Sequence, residues 1–356
     1  MTLPLELLRT PPSDLERALA QQTMLLAAAL DARVEGLDPD RTAVLVGMQC
    51  DPEVARYGVR WRLPELAPAL DAGAFAPPLG AAGVLGTMPN IPANRLNREL
   101  DARGPSYTIS AAELSGAEIA ARALRAGELD AAVVGAVDLC AEPVHEAAAR
   151  AALPPALARG GDAAVVLVVT RLDDARAKGR AVLAVLDERV TEGSLRLGPS
   201  VEGGSLTPRF GHAQAASGLL LVAAAALCLH RRARPGEAPG AWASEGPRAA
   251  VVEVEAMDGA RATIALREDE ETPDGALSLE AIVPKHALVL PAHPAPPSVT
   301  RAEDGALLDP APALPPAPHR AVPRARGARG RHRRARSGAP AGPRAVGRGR
   351  AVEREP

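Results

Sequence analysis

Three short apolar runs constrain this chain more than any other feature: TAVLVGM at Thr42–Met48, DAAVVGAVDL at Asp130–Leu139 and GGDAAVVLVVT at Gly160–Thr170. Each has the length of a strand and is nearly free of charge within its span, the pattern of strands buried on both faces. Stretches with helical spacing flank them. Ser13 to Ala32 opens with Ser13-Asp14-Leu15-Glu16, which has the spacing of a capping box, and carries apolar residues suited to an amphipathic helix. A second helix runs from Glu113 to Ala126 and stops at Gly127. Buried strands joined by helix-covered connections make an α/β fold. Further strands are expected at Ala181–Asp187, Ala249–Ala256 and Ala262–Arg267, and a short helix at Arg171–Gly179. Between Tyr57 and Pro78 the pattern is irregular, so an excursion over the surface is expected there, anchored by Trp61 and Phe75.

Length and composition narrow the class. The 356 residues suffice for one large or two medium domains with a sizeable core. Cys50, Cys140 and Cys228 are far apart and in no ligand spacing, so neither a disulfide framework nor a zinc site is indicated. The start of the chain lacks a basic segment followed by an apolar core and a cleavage site, which argues for a cytoplasmic protein. Ala213–Leu229 is uncharged over 17 residues but Ala-rich, with Gln214, Ser217 and Gly218 inside it, and reads as a buried core helix and not a membrane span. From His319 onward there are 12 arginines against Glu353 and Glu355, while the rest of the chain holds 29 basic and 41 acidic side chains. Such a tail could meet nucleic acid. It has no aromatic residue on which a base could stack, so disordered filler is the favoured reading and nucleic acid is not an expected partner.

Two motifs carry chemistry. Gly104-Pro105-Ser106-Tyr107-Thr108-Ile109-Ser110-Ala111-Ala112-Glu113-Leu114-Ser115-Gly116 reads as a strand, a sharp turn and a helix, and Phe210-Gly211-His212-Ala213-Gln214-Ala215-Ala216-Ser217-Gly218 opens the long apolar segment. The first resembles the nucleophile elbow of β-ketoacyl synthases, the second that family's Gly-His-x-x-Ala-Ala-Ser-Gly. Gln21-Gln22 before an apolar stretch and Asn90-Ile91-Pro92-Ala93-Asn94-Arg95 are similar to the family as well. The resemblance covers roughly residues 13 to 267 and implies a thiolase-like αβαβα layered fold. It also implies a missing first strand and a shortened second half. The expected organisation is a first half over 1–175, a second over 176–270, a Pro-rich linker over 271–318 and an Arg/Gly/Pro-rich disordered tail over 319–356.

Against the family's catalytic set, Glu113 stands where the resemblance places the acyl-accepting cysteine. Condensation needs a thiolate that takes up an acyl chain and later releases it, and a carboxylate would form only a hydrolysable anhydride. Ser110 and Glu113 also have capping-box spacing, a structural role compatible with a role in the pocket. His212 matches the family's second histidine, although a histidine at a helix start is often purely structural. The lysine five positions earlier is Thr207, the segment bearing the first histidine is replaced by TEGSLRLGPSVEGGSLTPR, and the late glycine-rich segment is reduced to Met257-Asp258-Gly259. His145, His230 and His286 match nothing and are expected at the surface.

ISAAELSGAEIA, CDPEVARYGVRWRL and FGHAQAASGLLLVAAAALCLH are similar to the chain-length-factor domain of bacterial polyunsaturated fatty acid synthases. That resemblance implies a non-condensing subunit of a fatty acid or polyketide synthase, paired with an active ketosynthase and served by an acyl carrier protein. It implies no cofactor of its own, since acyl chains arrive on a phosphopantetheinyl carrier, and no membrane partner. Two alternatives stay open: a malonyl-carrier-protein decarboxylase using His212 and Glu113, and a truncated gene product without function.

Overall fold

The computed structural model describes residues 3, 8–32, 34–110, 114–235, 240–255, 259 and 261–270, all in a compact unit spanning Met1–Leu290. In chain order the elements are α1 (Pro12–Leu15), α2 (Ala20–Leu30), β1 (Thr42–Met48), α3 (Pro52–Leu66), α4 (Ala72–Phe75), α5 (Ala81–Thr87) and α6 (Ile91–Glu99). There follow β2 (Ser106–Ser110), α7 (Ser115–Arg125), β3 (Ala131–Leu139), α8 (Pro143–Ala152), β4 (Asp162–Thr170) and α9 (Leu172–Ala177). The last group is β5 (Val185–Asp187), β6 (Leu195–Leu197), α10 (Thr207–Phe210), α11 (Ser217–Arg231), β7 (Ala233–Arg234), β8 (Gly240–Ala241), β9 (Ala249–Glu255) and β10 (Arg261–Arg267). The linker and tail expected over 271–356 lie outside the described residues.

The three apolar runs, together with β2 from the elbow motif, form the first sheet, in the order β2-β1-β3-β4. β1 pairs in parallel with β2 and β3, and β4 closes antiparallel on β3. Every residue of β1 is buried, as a run without alternation requires. One face of this sheet, with Val44, Val46, Val133 and Val137, packs on Leu25 and Leu26 of α2 and Leu96 of α6. The other face, with Leu45 and Val134, packs on Leu124 of α7 and Leu219 and Leu229 of α11, which also meet Val252, Ile264 and Leu266 of a second sheet ordered β5-β10-β9-β6. Among the described residues the layers therefore run helix, sheet, helix, sheet. The α/β thiolase-like layering is as expected, except that the last helix layer of the αβαβα arrangement is not among the described residues.

Some expectations need correction. The helix expected over 13–32 is split: α1 ends at Leu15, and α2 starts at Ala20 without a side chain of its own as cap. The Asp51 carboxylate, from the far side of β1, accepts the Gln21 amide at 3.3 Å instead. A cap supplied by a residue thirty positions away leaves no local spacing to read. The stretch 57–78 is not irregular either. Asp51 accepts the Glu53 amide at 2.9 Å, Pro52 occupies the first turn, and α3 runs on to Leu66. Trp61 anchors nothing, since it is 83% exposed on that helix. The strand expected at Ala181–Asp187 shrinks to Val185–Asp187, and Gly127 ends α7 at a φ of 71° as expected.

Candidate functional site

The carboxyl ends of the parallel strands β1, β2 and β3 lie at one edge of the first sheet, the edge at which ligands gather in open α/β sheets. β2 ends at Ser110 at this edge, and α7 begins at Ser115. Glu113 itself lies outside the described residues. The N-cap of α7 is Leu114 and no side chain among the described residues caps it, so Ser110 does not fill the capping position expected of it. The helix starts where packing lets it approach the sheet. A Cβ on Gly116 would stand 3.1 Å from Val134 Cγ1, so the missing side chain lets the first turn of α7 lie close against β3.

His212 reaches the same edge from the second half of the chain. It precedes a single turn of 3₁₀-helix, Gln214–Ala216, that runs into α11. Its backbone is clamped on the segment before β4: the His212 amide donates to the Arg159 carbonyl at 2.8 Å, and the Gly161 amide donates to the His212 carbonyl at 3.2 Å. Three glycines make that crossing possible. A Cβ at Gly160 would fall on the Cys140 carbonyl, one at Gly161 on the Phe210 carbonyl and one at Gly211 on the Gly160 carbonyl, each far inside van der Waals contact. Gly211 also adopts a φ of 81°.

The imidazole is 6% exposed and burial lowers its pKa to about 4, so it is neutral at physiological pH. Nδ1 lies 3.0 Å from the Ser217 hydroxyl, which in turn accepts the Ala213 amide at 2.9 Å. The hydroxyl has one proton and a second lone pair for the ring: where it donates to Nδ1, the ring hydrogen sits on Nε2. His212 is thereby held neutral, with Nδ1 fixed on Ser217. Thr207, standing where the family's lysine would be, is buried in the short helix α10. Met257 and Asp258 lie outside the described residues, as does His286, while His145 and His230 are half-buried and not fully exposed.

No described cysteine stands in for the missing nucleophile. Cys50, Cys140 and Cys228 are all free. Burial raises the pKa of each: to about 11 for Cys228, with help from Asp138 for Cys140, and with help from Asp51 and then Asp138 for Cys50. A thiol held protonated is a poor nucleophile.

The structure also brings together a polar cluster that motif reading passed over. Asp138, at the end of β3, is 0% exposed and accepts the Gln21 side-chain amide at 3.2 Å, the Leu139 amide at 3.0 Å and the Ala215 amide at 3.2 Å. The Cys140 thiol donates to it too, yet burial dominates and raises its pKa to about 7. Asp51 is likewise raised by burial. An acidic residue closing an otherwise apolar strand, and two glutamines opening an apolar helix, were the signals present in the sequence.

Residues 4–174 match the family model of the β-ketoacyl synthase N-terminal domain. The chain is 33% identical over 179 residues to the spectinabilin polyketide synthase system protein NorA of Streptomyces orinoci, and 31% identical over 141 residues to the hybrid PKS-NRPS synthetase phm1 of a Pyrenochaetopsis species. These alignments cover 45% and 37% of this chain but only 8% and 3% of those much longer proteins. Among solved structures, the ketosynthase from module 6 of the bacillaene synthase of Bacillus subtilis 168 superposes with a TM-score of 0.54 at 20% identity, covering 75% of this chain and 62% of that one. Ketosynthase twelve of the bacillaene polyketide synthase in Bacillus amyloliquefaciens gives 0.54 at 15% identity, with 75% and 63% covered. At such identities the likeness concerns the fold alone.

Proposed function

Because the chain belongs to the thiolase-like superfamily of β-ketoacyl synthases, with residues 4–174 matching the N-terminal domain, we propose that it is a non-condensing, ketosynthase-like subunit of a polyketide or fatty acid synthase. In this reading it acts as a chain-length factor: it pairs with a cysteine-bearing ketosynthase and contributes wall to an acyl tunnel without contributing chemistry. Acyl chains reach the pair on a carrier protein, and the subunit needs no cofactor of its own.

One observation carries the reading. The residue at the elbow is Glu113, and the described thiols are held protonated in other elements, so His212 has no nucleophile to serve. Claisen condensation requires an acyl-thioenzyme, and this chain has no group poised to form one. Incubating the purified chain with acyl- and malonyl-carrier protein tests this directly: no β-ketoacyl product is expected, and any product overturns the assignment. Co-expression with a cysteine-bearing ketosynthase tests the pairing, which predicts a stable complex whose product length differs from that of the ketosynthase alone.

A second reading, malonyl-carrier decarboxylation, draws on His212. A neutral imidazole bearing its hydrogen on Nε2 can donate to a thioester carbonyl and stabilise the enolate left when carbon dioxide departs. Release of carbon dioxide from malonyl-carrier protein, abolished in His212→Gln, would favour it over the chain-length-factor reading.

A further inference from the structure

We infer that Asp138 is the positioning residue for His212, its carboxylate tying the segment that carries the histidine to β3 and α2 and loosening that tie on taking up a proton. The geometry is a chain of short links. The Ala215 amide, three residues beyond His212, donates to one carboxylate oxygen at 3.2 Å. The other oxygen accepts Leu139 and Gln21, from β3 and α2. Ala215 belongs to the single 3₁₀ turn between His212 and Ser217, and Ser217 sets the imidazole through Nδ1. Asp138 touches neither His212 nor a reacting group; it acts through Ala215 and Ser217.

All the groups bonded to Asp138 donate, so the ionised carboxyl satisfies every one of them. Two features let the protonated form persist as well. Burial is complete, and its neighbours are acidic or neutral: Cys50 and Asp51 face it from the segment after β1, and Cys140 from the end of its own strand. Asp162, at the start of β4, acts on Cys140, and Arg56 of α3 acts on Asp51. α2 and the 3₁₀ turn bring no ionisable side chain. In addition, Gln21 Oε1 is buried without a hydrogen-bond partner among the described residues. Rotating that amide by half a turn presents Oε1 to Asp138 as an acceptor for the acid proton, so Gln21 serves both protonation states. In the neutral state the charge-assisted bond to Ala215 falls to an ordinary one. Burial places the crossover at about 7, far above the 4 or so at which His212 itself would titrate.

The inference stands apart from the choice between the two functions above, since its readout is the histidine segment itself. In the isotope-labelled full chain, the Ala215 amide and the His212 imidazole resonances are followed by NMR from about pH 5.5 to about pH 8.5, with His212→Gln identifying the ring signal among the 7 histidines. Both are expected to move together with a midpoint at about 7. Asp138→Asn should remove that transition. Gln21→Met, which deletes one donor while keeping the volume, should move the midpoint up by about one unit. Resonances that stay flat in the wild-type chain, or a midpoint that survives Asp138→Asn and so belongs to Asp51, overturn the inference. Should Asp138→Asn fail to fold, an unmoved midpoint in Gln21→Met overturns it alone.

Discussion

Burial perturbs Asp138 and His212 in opposite senses, and this yields a test of the buried site that needs no knowledge of substrate. The folded chain holds Asp138 protonated up to about 7, whereas the unfolded chain releases that proton near 3.8. Between these values the folded state binds one proton more, so stability falls as pH rises. For His212 the folded pKa is about 4 against 6.5 unfolded, so in that window the folded state binds one proton fewer and stability rises with pH. Each contributes a slope of about 1.4 kcal/mol per pH unit, with opposite sign. Between about pH 4.5 and about pH 6 the two cancel in the wild-type chain, and a single substitution unmasks the other. Asp138→Asn should add about 2 kcal/mol of stability across that interval relative to the wild-type trend, and His212→Gln should subtract about as much. Urea denaturation at several pH values measures this. Any fixed cost of lost hydrogen bonds shifts a variant's curve vertically and leaves its slope alone. If both variants run parallel to the wild type, the two groups titrate normally and the buried geometry argued for them is wrong.

Further outcomes follow from other parts of the chain. Glu113→Gln should change folding stability by no more than about a few tenths of a kcal/mol, as α7 has its N-cap at Leu114, yet change product length or rate in complex with a partner ketosynthase; Glu113→Cys should permit slow acylation, seen by mass spectrometry, without condensation. Gly161→Ala drives a Cβ into the Phe210 carbonyl and should cost about 1–3 kcal/mol by urea denaturation while displacing the His212 ring signal. Truncation after Lys285 should leave the thermal melt cooperative and its midpoint within a few degrees, because the Pro-, Arg- and Gly-rich remainder lacks the apolar content of a core.

The centre of the first sheet was legible because β1 and β3 are buried on both faces, and burial of that kind writes itself into a short sequence as an unbroken apolar run: Thr42–Met48 is strand from end to end, while β4, an equally apolar run, is only half-buried. The two motifs were legible for a similar reason, since each packs its chemistry into a dozen neighbouring residues. The surface helices were less so. α3 carries its signal in Asp51 and Pro52, but only Leu63 among its residues is buried, so its apolar pattern is faint and Trp61 misleads.

By itself the sequence determined the α/β class, the place of the elbow, the absence of a thiol there and the identity of His212 as the histidine opening the long helix. All of these depend on residues adjacent in the chain. Tertiary structure alone decided the rest. Gln21, Asp51, Asp138 and Ala215 are scattered over nearly two hundred positions, and no local rule joins them. They meet because the first sheet and the helices on its two faces bring strand ends, a helix start and a tight turn to one edge. Only there, out of water, does an ordinary aspartate stay protonated and an ordinary histidine stay neutral.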